Sequence, residues 1–162
     1  MKPLSILLCG VLVVYCAARA LAGESPPLTD NASLHMKKQI ISIPDAPKSS
    51  LYSQAVKVGP TIYVTGVPGL DPQTNKVAGP TIQEQTRRAL LNCENILRAA
   101  GAKLDDVVEV QVLLARPSDF AGLNEEYARF FPKNPPVRSV ARLGPDLGDI
   151  LVSIRLTAVV AD

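Results

Sequence analysis

The chain has 162 residues, of which 47% are hydrophobic, and its 17 Lys plus Arg against 15 Asp plus Glu give a net charge of +2. This length and composition are typical of one globular domain, and the small net charge argues against a nucleic-acid partner. Because His35 is the only histidine, the folded part can build neither a His/Cys metal cluster nor a Ser-His or Cys-His pair, and we expect no metal or other cofactor.

Residues 1–22 have the pattern of a secretory signal peptide. Lys2 supplies the positive start, residues 4–18 are an almost unbroken apolar run, and the small residues Ala20 and Ala22 match a cleavage site. The run is shorter than the roughly 20 residues of a membrane span, so an uncleaved anchor is the less favoured alternative. We therefore predict an exported protein, periplasmic or secreted, that is cleaved after Ala22 and has no stable membrane anchor.

The mature chain is predicted to consist of a flexible polar linker over residues 23–38 and one domain over residues 39–162. Cleavage removes Lys2 and Arg19, which leaves 15 basic against 15 acidic residues, so no excess charge remains to attract RNA or DNA. It also leaves Cys93 as the only cysteine, so no intramolecular disulfide can form.

The apolar pattern of the domain predicts the order β-β-β-α-β-α-β-β, which is an α+β fold class with a six-stranded mixed sheet and two helices on one face. The predicted strands are Gln39–Ile43, Tyr52–Val58, Thr61–Thr65, Val107–Leu114, Arg138–Leu143 and Ile150–Val159.

Two helices have clear start and stop signals. The first begins with a capping box of Thr81 and Glu84 and ends at Gly101, and Cys93 on its apolar stripe is expected to be a buried hydrophobe rather than a reactive thiol. The second has Ser118 as its predicted N-cap and stops at Pro132. Its predicted inward side chains are Phe120, Leu123, Tyr127, Phe130 and Phe131.

The alternation of apolar residues in the strands Val107–Leu114 and Ile150–Val159 predicts which face of the sheet the helices cover. Alternation places Val108, Val110, Val112 and Leu114 on that face, together with Ile150, Val152, Ile154, Leu156 and Ala158. The opposite face carries Val107, Glu109, Gln111 and Leu113, with Leu151, Ser153, Arg155, Thr157 and Val159. That face is too apolar to be exposed to water and too polar to be a closed hydrophobic core. We therefore expect another subunit to cover it, in an interface that contains polar pairs such as Arg155 with Glu109.

Five segments in this order resemble the RidA family, also called YjgF/YER057c/UK114. They are LYSQAVKVG, IYVTGVPGLDPQTNKV, QTRRALLNCENILRAAG, FAGLNEEYARFF and PPVRS, and the similarity covers residues 39–160. The resemblance implies a chorismate-mutase-like α+β fold, a homotrimer and active sites in the clefts between subunits. It also implies hydrolysis of reactive enamine/imine intermediates to 2-keto acids and ammonia.

The resemblance also assigns site residues. Arg138 follows the stiff pair Pro135 and Pro136 and matches the family's carboxylate-binding arginine. A planar guanidinium is suited to this role because it can donate two parallel N–H···O bonds to a carboxylate. Without the resemblance, Arg138 would be interpreted as a surface or interface ion-pair residue. Three further positions match residues that line the family's cleft, and Asn124 matches an asparagine interpreted as structural. The cleft residues are Tyr52, Thr65 and Gly66.

The last strand departs from the family pattern. Where the family carries a glutamate that holds the attacking water, this chain has Ser153, or Arg155 in a register shifted by two. Neither can act as a carboxylate base, whose help is worth about 10²–10⁴-fold. Val140 stands where a cysteine is frequent. Arg155 either faces the cleft, where it would favour a more acidic ligand, or pairs with Glu109 in a structural role.

Three functions follow as hypotheses. The first is an exported, weak or altered enamine/imine deaminase, and the second is a trimer that binds small carboxylates without significant turnover. The third is the family's older label, endoribonuclease L-PSP or translation inhibitor. The mature chain disfavours it, because it has no basic run beyond Lys37-Lys38 and Arg87-Arg88, few aromatics for base stacking and no histidine for RNA cleavage. Whether the chain is an enzyme is therefore left open by the sequence.

Overall fold

The computed structural model describes residues 37–44 and 49–161. The predicted signal peptide and most of the predicted linker lie outside the described residues. No helix within the described ranges is long and apolar enough to cross a membrane.

Six strands form one mixed sheet that carries two helices, as the sequence predicts. The sheet order is β1-β2-β3-β6-β4-β5, and the single parallel pair is β4 with β5. A parallel pair needs a crossover, which the second helix provides. The elements are β1 (Gln39–Ile41), β2 (Ala55–Val58), β3 (Thr61–Pro68), α1 (Ile82–Ala99), β4 (Val107–Leu114), α2 (Phe120–Phe130), β5 (Val137–Arg142) and β6 (Val152–Val159).

The first helix, α1, begins and ends as predicted. The Thr81 hydroxyl accepts from the Glu84 backbone N–H, and the Glu84 carboxylate accepts from the Thr81 backbone N–H. After the helix, Gly101 adopts a φ of 82°, a left-handed conformation that glycine tolerates best. Cys93 is fully buried among the core side chains under α1, and burial raises the pKa of its thiol to about 12.

The start of α2 differs from the prediction. Ser118 is not the N-cap, because it lies inside a short 3-10 turn over Pro117–Asp119 that precedes the helix. Arg116 donates to both carboxylate oxygens of Asp119 and so stabilises that turn. Phe120 is 45% exposed rather than inward, whereas Leu123, Tyr127 and Phe131 are buried as expected.

The predicted alternation on β4 is wrong at its beginning. The pairing of β4 with β6 shifts between Val107 and Glu109, so one extra residue interrupts the alternation. As a result Val107 packs into the core, while Val108 is 47% exposed instead of lying under the helices. At the start of β6, Ile150 precedes the strand, and Leu151 is buried in the core rather than on the outer face.

The sheet face opposite the helices is uncovered in the single chain. Its exposed apolar side chains are Ile40, Tyr63, Val137 and Val159. On the same face, the Thr157 hydroxyl donates to Glu109 at 3.3 Å. That a partner subunit covers this face stays a prediction.

Candidate functional site

A cavity of about 540 Å³ opens between β3, α1 and the segment that leads into β2, and we call it the β3 cavity. Three residues assigned by the sequence resemblance line it, and they come from two parts of the chain. Tyr52 lies before β2, and Thr65 and Gly66 lie within β3. The full lining is Ile43, Pro44, Tyr52, Gln54, Thr65, Gly66, Val67, Pro68, Leu70, Pro72, Asn92, Asn95, Ile96, Arg98 and Ala99.

A bulge in β3 positions Thr65 and Gly66. Val64 pairs with Leu156 and Val67 pairs with Ile154, so two residues of β3 lie opposite the single residue Arg155 of β6. Such a bulge bends the strand and redirects its side chains. Here it brings Thr65 and Gly66 into the wall of the β3 cavity.

Gly66 also permits a close approach by Ser153. A Cβ built on Gly66 would lie 2.9 Å from the Ser153 hydroxyl oxygen, closer than real Cβ atoms come to other atoms. Ser153 is buried next to Gly66 and is not itself among the residues that line the cavity. The structure thus brings Ser153 together with the lining residues.

Gln54 ties the Tyr52 segment to the neighbouring strands. Its side-chain oxygen accepts from the Ile43 backbone N–H at 2.6 Å, and its backbone carbonyl accepts from the Thr65 N–H at 3.0 Å. These two hydrogen bonds join the segment that contains Tyr52 to the residues after β1 and to β3, and both of those parts line the cavity. Tyr52 is 56% exposed, so its phenol is accessible to a ligand.

Arg138 lies elsewhere in the chain, on the edge strand β5. Its guanidinium carbon is 4.6 Å from the centre of the Tyr127 ring and 6.0 Å from that of Phe120. Cations in such positions are attracted to the ring face. No ion pair within 4.0 Å involves Arg138 in the part of the chain that the structure describes, so its N–H donors face no carboxylate.

One chain does not bring Arg138 to the β3 cavity. Arg138 pairs with Val110, which pairs with Leu156, which pairs with Val64 beside the bulge. Three strand spacings of about 4.8 Å separate the Arg138 backbone from β3, which amounts to roughly 14 Å. Arg138 is accordingly not among the residues that line the β3 cavity within one chain.

The helix α2, whose Tyr127 ring lies against Arg138, carries buried polar atoms without partners in the described part of the chain. The Asn124 side-chain oxygen and the Tyr127 hydroxyl are buried and have no hydrogen-bond partner among residues 37–44 and 49–161. Burial also raises the pKa of Tyr127, against the opposing effect of the nearby Arg138 charge. Buried polar atoms without partners are costly and are rare in folded proteins.

Arg155 lies on the uncovered sheet face, next to the bulge. It is opposite Thr65 and Gly66 on one side and pairs with Gln111 on the other. Of the two alternatives for Arg155, an ion pair with Glu109 of the same chain is not formed: among the described residues no ion pair within 4.0 Å includes either group. Glu109 instead accepts from Thr157.

Three polar residues of α1 line the β3 cavity and were not assigned from the sequence. Asn92, Asn95 and Arg98 recur at a spacing of three, which places them on one side of the helix. The Asn92 amide donates to the Leu70 carbonyl at 2.8 Å and joins α1 to the loop after β3. The spacing alone could have indicated a polar edge, but it could not show that a cavity lies against it.

The fold and the cavity define an α+β protein whose six-stranded sheet is covered by helices on one face and whose candidate site lies at a bulged strand. Residues 43–160 match the sequence model of the Endoribonuclease L-PSP family, and the chain belongs to that family. The family assignment agrees with the resemblance to RidA proteins derived from the five sequence segments.

Individual relatives and structures agree with this assignment. A RutC family protein of Saccharolobus solfataricus is 43% identical over 122 residues, covering 75% of this chain and 97% of that protein. A 2-iminobutanoate/2-iminopropanoate deaminase of Mus musculus is 40% identical over 103 residues, covering 63% of this chain and 76% of that protein. The crystal structure of E. coli TdcF with bound serine matches with a TM-score of 0.70 and 30% identity, covering 76% of this chain and 99% of that one.

Proposed function

We propose that this protein hydrolyses reactive enamine/imine intermediates to 2-keto acids and ammonia. The observation that carries the proposal is Arg138, whose guanidinium rests on the Tyr127 ring with no acidic partner in the described part of the chain. A planar guanidinium supported in this way is suited to the carboxylate that every 2-imino acid carries. The name of the mouse relative, a 2-iminobutanoate/2-iminopropanoate deaminase, supports the same chemistry.

The proposed hydrolysis requires little catalytic assistance from the protein. Water adds to the C=N carbon and one of its protons moves to the nitrogen, which gives a carbinolamine. The hydroxyl proton then moves to the nitrogen as the C=O bond forms and the C–N bond breaks, so that ammonia leaves and the 2-keto acid remains. The imine is already electrophilic, so the main tasks are to orient it and to place a water molecule. Tyr52 and Thr65 line the β3 cavity and carry hydroxyl groups that can hydrogen-bond that water, although neither is a carboxylate base.

We propose further that the complete site forms between copies of the chain, in a homotrimer. Arg138 and the β3 cavity lie three strands apart within one chain, so Arg138 of one copy would meet the cavity of the next. The uncovered apolar and polar face of the sheet supports this assembly. Sedimentation at micromolar concentration tests it, and a stable monomer would contradict it.

A competition assay tests the proposed activity. An amino-acid oxidase generates 2-iminobutanoate in the presence of semicarbazide, and the protein is expected to lower the rate of semicarbazone formation. Arg138→Ala should lower kcat/KM by about ten- to a hundredfold, because it removes hydrogen bonds to a charged group. Arg142→Ala is the matched control, since Arg142 is an exposed arginine of the same strand. Equal loss in both variants, or none in either, contradicts the role of Arg138.

A carboxylate-binding protein without turnover is the second candidate. The observation that favours it is that no carboxylate side chain is among the fifteen described residues lining the β3 cavity. Ser153, which stands where the family carries its glutamate, lies next to Gly66 of that lining. If this candidate is correct, 2-ketobutanoate binds in calorimetry in an Arg138-dependent manner while semicarbazone formation is unchanged.

We also propose that the protein is exported and cleaved after Ala22. The charge and apolar pattern of residues 1–22 supports this. N-terminal sequencing of the protein purified from its native source should begin at Gly23. A sequence that begins at Met1 or Lys2 would contradict cleavage.

A further inference from the structure

We infer that Gln85, in the first turn of α1, is a positioning residue for the proposed hydrolysis. It anchors the start of β6 to the end of β3 and so fixes the wall of the β3 cavity. Gln85 is not among the residues that line the cavity, so it acts through the segments that it holds. Its effect on turnover rests on the proposed function, whereas the anchoring can be measured without turnover.

The hydrogen bonds of the Gln85 side chain are the first argument. This side chain is buried, with 1% exposure. Its NH₂ group donates to the Asp149 carbonyl at 2.9 Å and to the Gly79 carbonyl at 3.0 Å, and its oxygen accepts from the Leu151 backbone N–H at 2.9 Å. An amide offers both kinds of group, whereas a carboxylate has no donor and an ammonium group has no acceptor. These three bonds therefore depend on an amide side chain and not only on its volume.

The backbone of Gln85 is the second argument, because it lies directly against the residue that follows β3. A Cβ built on Gly69 would lie 2.7 Å from the Gln85 Cα, closer than real Cβ atoms come to other atoms. The glycine thus permits the contact between this turn of α1 and the chain after β3. The next residue, Leu70, lines the β3 cavity. One turn of α1 therefore holds both the end of β3 and the start of β6.

The pairing of β6 with β3 carries the effect of this anchor to the cavity. Leu151 is held on both sides, because its carbonyl also accepts from the Ala115 N–H at 2.9 Å. Two residues further on, Ser153 pairs with Pro68 and lies next to Gly66, and both of these β3 residues line the cavity. A misplacement of about 1 Å caused by a residue away from the chemistry can lower a rate about a hundredfold. Loss of the Gln85 bonds is therefore expected to lower turnover.

Gln85→Met tests the inference in the 2-iminobutanoate assay. Methionine has nearly the length of glutamine and removes all three hydrogen bonds of the side chain. The kcat of the folded variant should fall about ten- to a hundredfold. KM should stay within about twofold, because the carboxylate is held by Arg138 and not by the segments that Gln85 anchors. A role in stability alone would leave the kcat of the folded protein unchanged, and that result would overturn the inference.

Gln85→Glu adds a rescue that depends on pH, and it decides the inference if Gln85→Met does not fold. The carboxylate can accept from the Leu151 N–H, but it has no N–H for the Gly79 and Asp149 carbonyls and is repelled by them. Burial and this repulsion should raise its pKa, and the protonated acid regains one donor. The kcat relative to the wild type should therefore be low at about pH 8 and rise at least about threefold toward pH 5. A ratio that does not change with pH would overturn the inference.

Two points make this pH dependence specific. Among the hydrogen-bond partners of Gln85 only Asp149 is ionisable, and it contributes its backbone carbonyl. Any titration of its own side chain is common to the wild type and the variant, so it cancels in the ratio. Gln73→Glu makes the same change at an exposed position of the loop after β3, and it should leave kcat and KM unchanged at every pH.

Amide hydrogen exchange separates this inference from the proposed function. In Gln85→Met the Leu151 amide loses its acceptor, and the Ala115 amide that donates to Leu151 should lose protection with it, by at least about tenfold. The Ala102 amide, bonded at the other end of α1, should keep its protection. If this pattern appears while the wild type hydrolyses no imine, the anchoring stands and the deaminase proposal fails. If the wild type is active and Gln85→Met keeps its kcat, the deaminase proposal stands and the inference fails. Unchanged protection of Leu151 and Ala115 overturns the inference whatever the turnover.

Discussion

Replacing Gly66 with alanine tests how closely the bulge of β3 packs against β6. The added Cβ would lie 2.9 Å from the Ser153 hydroxyl oxygen, so that hydroxyl must move. Overpacking of this kind costs about 1–3 kcal/mol. Gly66 is not among the glycines with positive φ, so alanine should also gain about 0.4–1 kcal/mol by restricting the unfolded chain. The expected net loss is therefore about 1–2 kcal/mol.

A double-mutant cycle identifies the cause of that loss. Urea unfolding is measured at one protein concentration for the wild type, Gly66→Ala, Ser153→Ala and the double variant. Ser153→Ala removes the oxygen that meets the new methyl group, so Gly66→Ala should cost little in that background. The coupling between the two changes should be about 1 kcal/mol or more. If Gly66→Ala costs the same in both backgrounds, or stabilises the wild type, the inferred contact between Gly66 and Ser153 is wrong.

Three other expectations concern buried groups. Arg87 donates to both oxygens of the Glu126 carboxylate, and this lowers the Glu126 pKa. A lowered folded-state pKa stabilises the protein above the unfolded value near 4.5, and that stabilisation is lost as the pH falls below it. Glu126→Gln should therefore flatten the loss of stability in acid below about pH 4.5, and an unchanged profile would contradict this. Cys93, with a pKa raised to about 12, should not react with a disulfide reagent at pH 8 until denaturant is added, and rapid labelling of the native protein would refute its burial. Tyr127→Leu removes the ring beneath Arg138 and should weaken 2-ketobutanoate binding about two- to fivefold, since an exposed cation–π contact is worth about 0.5–1 kcal/mol. Unchanged affinity in calorimetry would show that the ring does not support Arg138.

Features set by local sequence were predicted well. The capping box at Thr81, the stop at Gly101 and the burial of Cys93 depend on residues within one helix and its periodicity. The start of α2 was not predicted, because the turn containing Ser118 is stabilised by a pair between Arg116 and Asp119 that competes with a serine cap.

The features that the sequence pattern did not predict, the exposure of Val108 and the bulge in β3, depend on how neighbouring strands pair. The exposure of Val108 follows from a shift in the pairing of β4 with β6, and an alternating pattern cannot show where such a shift falls. The same reason applies to the bulge that brings Thr65 and Gly66 beside Arg155.

The sequence by itself determined the α+β order, the family and the residue types that a carboxylate-directed site needs, because periodicity, capping signals and motifs are properties of short segments. Only the tertiary structure decided that Arg138 rests on Tyr127, three strands from the β3 cavity, and that Arg98 lines that cavity. Distances between strands and the space between a helix and a sheet depend on how the whole chain packs. No local pattern contains that information.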